Sequence, residues 1–260
     1  MFILVPPSEG KTAPTDAEPL VHGSLVLPEL TAVRVSLMKA LSRLSSGSPT
    51  RALAALGLSE GQLGELTHNQ LVATAPAAPA ADVYRGVLYE ALDLPGLRTD
   101  DPEAYRRAQE SLLVFSGLWG VVRPQDRIPY YRCSAGVKLP RIGSVTAVWK
   151  KALAGPLADL AGEKLVVDLR STGYTGMWRP TGSTVTVRVV HERVVGGVLK
   201  RSVVSHFNKA TKGRLVRALL VAGEEPKTPE EFADALRDLG FRVECGAAGA
   251  GALDVVVAEL

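Results

Sequence analysis

Lys164-Leu165-Val166-Val167-Asp168-Leu169, running into Arg170-Ser171-Thr172-Gly173-Tyr174, is the stretch on which the fold turns. Its apolar residues are continuous rather than alternating, which suits a strand buried on both faces, and an acid followed by a polar loop marks the strand's end. Met1–Val5 has the same form: an apolar run closed by Pro6-Pro7 and followed by the loop Ser8-Glu9-Gly10-Lys11-Thr12. Segments of helical period lie between the two. Starting at Pro28, Leu30, Val33, Leu37, Leu41 and Leu44 recur at three and four, and residues 45–49 end the run. Shorter helices fit Arg51–Leu56 and Gly61–Leu66, with Ser59 and Gln62 spaced as a capping box. Val83–Leu92 and Pro102–Leu113 continue the series, the second with Asp100 or Asp101 as N-cap and Pro102 at its first position. Strands interleaved with helices in this way predict an α/β (α+β) chain: one compact domain over residues 1–260, with a central mixed sheet flanked by helices.

The remaining segments fit that scheme. Ala73–Ala81, rich in Ala, Pro and Thr, reads as a linker, and a helix is expected near Val145–Ala154. Thr184–Val190 and Val198–Val204 are β-branched on either side of Gly196-Gly197, which predicts a hairpin. Asn208–Ala222 and Thr228–Leu239 read as helices, and Phe241–Glu244 and Leu253–Ala258 as closing strands around a Gly/Ala loop. No internal repeat is visible.

With 46% hydrophobic and 22% charged side chains, the 260 residues describe an ordinary globular chain and exclude a fibrous or wholly disordered one. The two cysteines, Cys133 and Cys245, form neither a disulfide framework nor a metal-ligand pattern. The apolar start is too short for a secretory leader, and no stretch reaches the 18 or so apolar residues of a membrane span. A cytoplasmic protein without membrane attachment is expected, with a monomer favoured. The four histidines are scattered, so no metal and no cofactor is expected.

Three places could carry chemistry. The loop Val5–Thr12 matches the second half of a phosphate-binding G-x-x-x-x-G-K-T, but Val5 stands at the opening glycine and Pro14 interrupts the helix that should follow. What remains is Ser8 and Lys11 beside Gly10 at a strand end, able to hold an anion or simply to form a solvated turn. The second place is Ser116-Gly117-Leu118-Trp119-Gly120-Val121-Val122-Arg123-Pro124-Gln125-Asp126, continuing through Tyr130-Tyr131-Arg132. It is rich in Gly and aromatics, has no period, and sets Arg123 and Arg132 among Trp119 and Tyr131, a combination suited to phosphate contact with base stacking. A core loop, with Asp126 as a cap or ion-pair partner, fits the same residues. The third is Lys200–Arg217, with six Lys/Arg and no acid in a chain whose net charge is only +3. Lys209 and Lys212, three apart at the expected start of a helix, would hold a phosphate together with the helix dipole, and Arg214 follows them. A solvated helix face is the plain alternative.

Taken together, these residues resemble the peroxide stress protein YaaA family along nearly the whole chain. The family's central signature is similar to Ser116–Asp126 followed by Tyr131-Arg132, and its S-P-A-K-T element to Ser8 through Lys11-Thr12. Its G-D-V-Y-x-G-L segment is placed at Gly86–Leu92, its N-L-A-S-x-E-Y at Asp168–Tyr174, and its K-K-A-R-G helix start at Lys209–Gly213. The resemblance implies a distinctive α/β fold, a role in the oxidative-stress response, limitation of free iron, and a basic cleft that binds DNA. It also implies a helix-hairpin-helix element, for which Leu53–Leu66, with Leu56-Gly57-Leu58-Ser59 at its turn, is the candidate. The chain departs from the family at Ser134 and Ala135, where Glu and Met are usual, at Gly173, where Glu is usual, and at Lys212, where Arg is common. The loss of two acids makes the cleft more basic and removes candidate bases.

The expected function is therefore a peroxide-stress protein binding DNA through phosphate contacts that are largely sequence-independent. Ser8, Lys11, Arg123, Arg132, Arg170, Ser171, Lys209, Lys212 and Arg214 would line one groove, and Trp119 or Tyr131 would stack on a base. The alternative is an enzyme acting on a nucleotide or nucleoside-like substrate in the same cleft, with Lys11 as phosphate clamp and Asp126 or Asp168 as base. No carboxylate or histidine cluster has the spacing to hold iron.

Overall fold

The computed structural model describes residues 1–195, 198–202, 205–246 and 251–258. Phe2–Val5 (β1) is buried along its whole length and therefore stands inside an eight-stranded mixed sheet rather than at its edge. Leu112–Ser116 (β2) pairs with it in parallel on one side, and Gly120–Val122 (β3) turns back antiparallel beside β2. Val166–Asp168 (β4) pairs in parallel on the other side of β1, followed outward by the long strand Thr184–Val195 (β5). Val198–Ser202 (β6) folds back antiparallel on β5, while Arg242–Cys245 (β7) and Ala252–Ala258 (β8) close the sheet, β8 running parallel to β5. The order is β7-β8-β5-β4-β1-β2-β3, with β6 on β5.

This order has a geometric result. The chain leaves β1 for a neighbour on one side and later returns to a neighbour on the other, so the loops after the carboxyl ends of β1, β2 and β4 diverge around one crevice. Helices cover the sheet in one compact domain. Ser205–Ala222 packs closely on Val87–Leu92, and the contact is close because residue 213 is glycine: a Cβ there would fall 2.3 Å from the Leu88 carbonyl oxygen. Thr31–Ser45 buries Leu37 and Leu41 together with the guanidinium-bearing Arg34.

Most elements lie where periodicity places them, and the differences have identifiable causes. Ala73–Ala81 is no linker: Ala77–Pro79 pairs with Arg127–Pro129, and Ala77, Ala80 and Ala81 are buried, because small side chains let backbone pack close to the core. The expected helix over residues 83–92 is broken into Ala80–Val83 and Val87–Leu92 by Gly86, at φ 101. A second helix, Ala154–Ala161, follows Val145–Ala152. Strands β5 and β6 form the expected antiparallel pair, while the turn at Gly196-Gly197, the end of the expected strand at Val203-Val204 and the Gly/Ala loop over 247–250 lie outside the described residues. The expected caps are present: Asp101 accepts from the Ala104 amide at 2.9 Å and Thr228 from the Glu231 amide at 3.1 Å.

Gly213→Ala should cost about 1–3 kcal/mol through overpacking against Leu88. Thermal denaturation should show Tm lowered by roughly 2–4 °C per kcal/mol.

Candidate functional site

The crevice is built from the loop after β1. Pro6 and Pro7 stiffen its departure, and the side chain of Lys11 folds back so that its ammonium donates to the Ser8 carbonyl oxygen at 2.5 Å. The nitrogen lies 4.7 Å from the ring centroid of Tyr131 and 5.7 Å from that of Tyr84, a cation over two aromatic rings. Arg132 approaches from the other wall, donating to the Glu9 carbonyl oxygen at 2.8 Å and standing 3.5 Å from the Glu9 carboxylate. Its Nε is buried and has no acceptor. Asn69 fixes the Arg132 backbone from both sides, accepting from its amide at 2.8 Å and donating to its carbonyl at 2.9 Å.

Beneath Lys11 runs a chain of buried hydroxyls. The Trp119 amide donates to the Ser116 oxygen, which lies 2.6 Å from the Tyr131 hydroxyl; that hydroxyl lies 2.8 Å from the hydroxyl of Tyr84. Tyr89, stacked on Tyr84, donates to the Pro6 carbonyl oxygen at 2.7 Å. Tyr174, from the short helix after β4, is buried; its hydroxyl makes no hydrogen bond of good geometry, although the Ala135 backbone is near enough to act on its ionisation. Burial raises the ionisation of Tyr84, Tyr89, Tyr131 and Tyr174 above the ordinary phenol range, so all four remain neutral donors.

Burial acts in the opposite sense on the amine. Lys11 is lowered from 10.5 to about 8, chiefly by desolvation, opposed by Glu9 and Glu65 and reinforced by Arg132. Cys133, in the same wall, has its thiol pushed up to about 12 by burial, which makes it an inert thiol rather than a peroxide-reactive thiolate.

The sequence-derived site residues divide into those the fold brings together and those it does not. Ser8, Lys11 and Arg132 meet at the end of β1. Arg170 lies at the adjacent end of β4 but is buried and committed: it forms a two-point ion pair with Asp168 (2.6 and 2.9 Å), donates to the Trp178 carbonyl and lies over the Phe115 ring at 4.3 Å. This corrects two expectations. Asp168 is neutralised as a base, and Arg170 is not free to take an external phosphate. Ser171, one residue on, is exposed. Lys212 donates to the Leu169 carbonyl oxygen at 2.9 Å, on the side of the crevice toward Asp168.

Arg123 follows β3, which runs antiparallel to β2, and so lies toward the opposite end of the sheet from Lys11. Asp126 is a staple there, accepting from the amides of Val26 and Arg123 at 3.0 and 2.9 Å, not a base. Trp119 and Tyr131 are 0% and 1% exposed, and neither presents a face on which a base could stack. Ser205, not Asn208, begins the last long helix, which carries Lys209, Lys212 and Arg214 beyond its first turn and removes the dipole argument. Much of the basic run is occupied internally: Arg201 pairs with Glu192 and Glu244, and Arg217 caps the carbonyls of Leu92 and Asp93. Lys209 and Arg214 remain exposed.

Two features escaped the sequence reading. Arg34 is 1% exposed and donates to four carbonyls, those of Val26, Leu27, Trp119 and Val121. Its signal was its place between Leu30 and Leu37 on the apolar stripe. Tyr84 was overlooked because the D-V-Y-x-G pattern fits Asp82-Val83-Tyr84-Arg85-Gly86 rather than residues 86–92. Beside Arg132, a cleft of about 230 Å³ is lined by Glu9, Cys133, Ser134 and the turn Leu56-Gly57-Leu58, where Gly57 (φ 65) ends the helix Pro49–Leu56. Among the described residues no group of three or more His, Cys, Asp or Glu gathers into a metal site, and no helix is long and apolar enough to cross a membrane.

The family model described as peroxide stress protein YaaA matches residues 1–245. The chain belongs to that family. A UPF0246 protein of Streptomyces coelicolor is 51% identical over the full length of both chains. A UPF0246 protein of Corynebacterium efficiens is 42% identical over 99% of this chain and all of its own. An uncharacterized protein of Campylobacter jejuni is 27% identical over 83% of each. Membership in the YaaA family supports a role in the stress response.

Because Lys11 titrates lower in the fold than in the unfolded chain, the unfolded state holds more protons between pH 8 and 10.5, and stability gains from this group as pH rises through that window. Lys11→Met should therefore raise Tm at pH 7 by a few degrees, about 2–4 °C per kcal/mol relieved, with the gain shrinking toward pH 10. Thermal melts across pH would check this.

Proposed function

We propose that this YaaA-family member is a cytoplasmic stress-response protein whose crevice holds phosphates of DNA. The observation that carries the reading is the surplus of donors at the end of β1. The buried Arg132 Nε lacks an acceptor, the Tyr174 hydroxyl lacks a well-formed one, and Lys11, near Arg132, has no carboxylate in ion-pair contact among the described residues. Buried donors left open are costly unless an acceptor-rich ligand completes them, and a phosphodiester supplies four oxygens at that scale. The Gly57 turn beside Arg132 joins two helices in the manner of the helix-hairpin-helix element that the family resemblance implies, although Glu60 and Glu65 flank it. Lys209 and Arg214 offer exposed cations along the outer helix for neighbouring phosphates.

A second reading, a nucleotide-like small molecule as ligand, is favoured by enclosure: Lys11 and Arg132 are only partly exposed, and the adjoining cleft is small.

Fluorescence anisotropy with a labelled duplex over a range of salt tests the proposal. Arg132→Ala, and separately Lys209→Ala with Arg214→Ala, should weaken binding and flatten the log–log salt slope by about 0.9 for each phosphate no longer neutralised. Unchanged affinity and slope in both variants would overturn it, and a nucleotide that raises Tm where duplex does not would select the second reading.

A further inference from the structure

Among ten lysines, Lys11 and Lys212 are the two not exposed to solvent. Lys212 has Asp168 opposite it and the Leu169 carbonyl as acceptor. Lys11 differs: its amine points into the crevice over two aromatic rings, its one hydrogen bond is to a carbonyl oxygen, and no carboxylate among the described residues lies within 4 Å. Such an amine is desolvated without being neutralised by a partner, the condition that makes a lysine nitrogen a nucleophile toward carbonyl carbon. Groups suited to the rest of an electrophile share its surroundings: Arg132 acts on its charge, and Tyr174 lies near Glu9, Tyr84 and Cys133, which also adjoin Lys11. Arg132 keeps an open N–H for a phosphate oxygen, and Tyr174 keeps a protonated hydroxyl able to donate to a carbonyl oxygen.

We propose that Lys11 captures the aldehyde of a ring-opened sugar phosphate as an imine. The nitrogen lone pair attacks the aldehyde carbon, a C=N bond replaces C=O, and the carbonyl oxygen leaves as water with both hydrogens of the neutral amine; no oxidant or reductant takes part. The inference rests on the reading of the crevice as a phosphate site. The shared chemistry, an aldehyde a few bonds from a phosphate, occurs both in an abasic deoxyribose within DNA and in a free sugar phosphate, and the experiment separates these sources.

Full-length protein is incubated with an abasic-site duplex, with the same duplex intact, or with glyceraldehyde 3-phosphate, each with sodium cyanoborohydride, which reduces an imine to a stable secondary amine. Denaturing gels and peptide mass spectrometry read the adduct. Reductive trapping should map to Lys11, rise with pH toward 8 as the amine loses its proton among Glu9, Glu65, Arg132 and Cys133, and fall at least about tenfold in Lys11→Arg. The exposed-site variant Lys138→Arg should trap as wild type does. Trapping on the abasic duplex assigns the macromolecular source, and trapping on the triose phosphate alone assigns the free one. Adducts spread over the exposed lysines, or no adduct from a protein that binds the intact duplex, would overturn this inference while leaving the binding proposal in place. Trapping at Lys11 with no duplex binding would do the reverse.

Discussion

The arrangement depends on one constraint, that β1 has a parallel neighbour on each side. A strand so enclosed cannot present its edges to solvent, so the functional surface it offers is at its ends. Because β2 and β4 lie on opposite sides of β1, their loops leave the carboxyl end of β1 open between them, and the crevice is a consequence of the winding. Lys11, Arg132 and Tyr174 come from positions far apart in the chain, yet each is anchored to one of these three strand ends or to the loop returning from it.

Around that opening the protein uses buried cations in two different ways. Arg34 is saturated by four carbonyls and holds the Trp119 loop against the first long helix; burial lowers it to about 10, yet it stays charged at neutral pH. Arg170 is saturated by Asp168 and two carbonyls. Both are structural, since every strong donor has an acceptor. Arg132 and Lys11 are left incomplete in the same interior. Trp119 Nε1 and Arg123 Nε are also buried without an acceptor, so an open donor marks the crevice only together with its place at the end of β1.

That distinction explains what the sequence could and could not convey. Continuous apolar runs revealed β1 and β4, and the Asp101 and Thr228 caps were legible because their chemistry is local. The family signature pointed to loops of which those carrying Ser8, Lys11 and Arg132 meet at the end of β1. Roles within those loops were less accessible, because Arg170 and Arg132 are the same residue type beside similar turns, and only the fold shows that Asp168 closes onto the Arg170 guanidinium while Arg132 meets Glu9 from a distant loop. Trp119 and Tyr131 read as stacking platforms from composition, but the aperiodic segment that holds them is core, kept buried by Ser116, Arg34 and Trp149. The basic run over 200–217 misled for a related reason: charge counted along the chain ignores ion pairs formed across strands, such as Arg201 with Glu192 and Glu244.

The place of β1 also bears on how the chain reaches its fold during synthesis. Phe2–Val5 emerges from the ribosome before everything it pairs with; its nearest partners begin at Leu112 and Val166. For that interval a wholly apolar segment has no sheet to join, and the long sequence separation of its pairings slows closure. A nascent chain of this protein therefore carries β1 unpaired until Leu112–Ser116 has left the exit tunnel, and with one edge still open until Val166–Asp168 has followed.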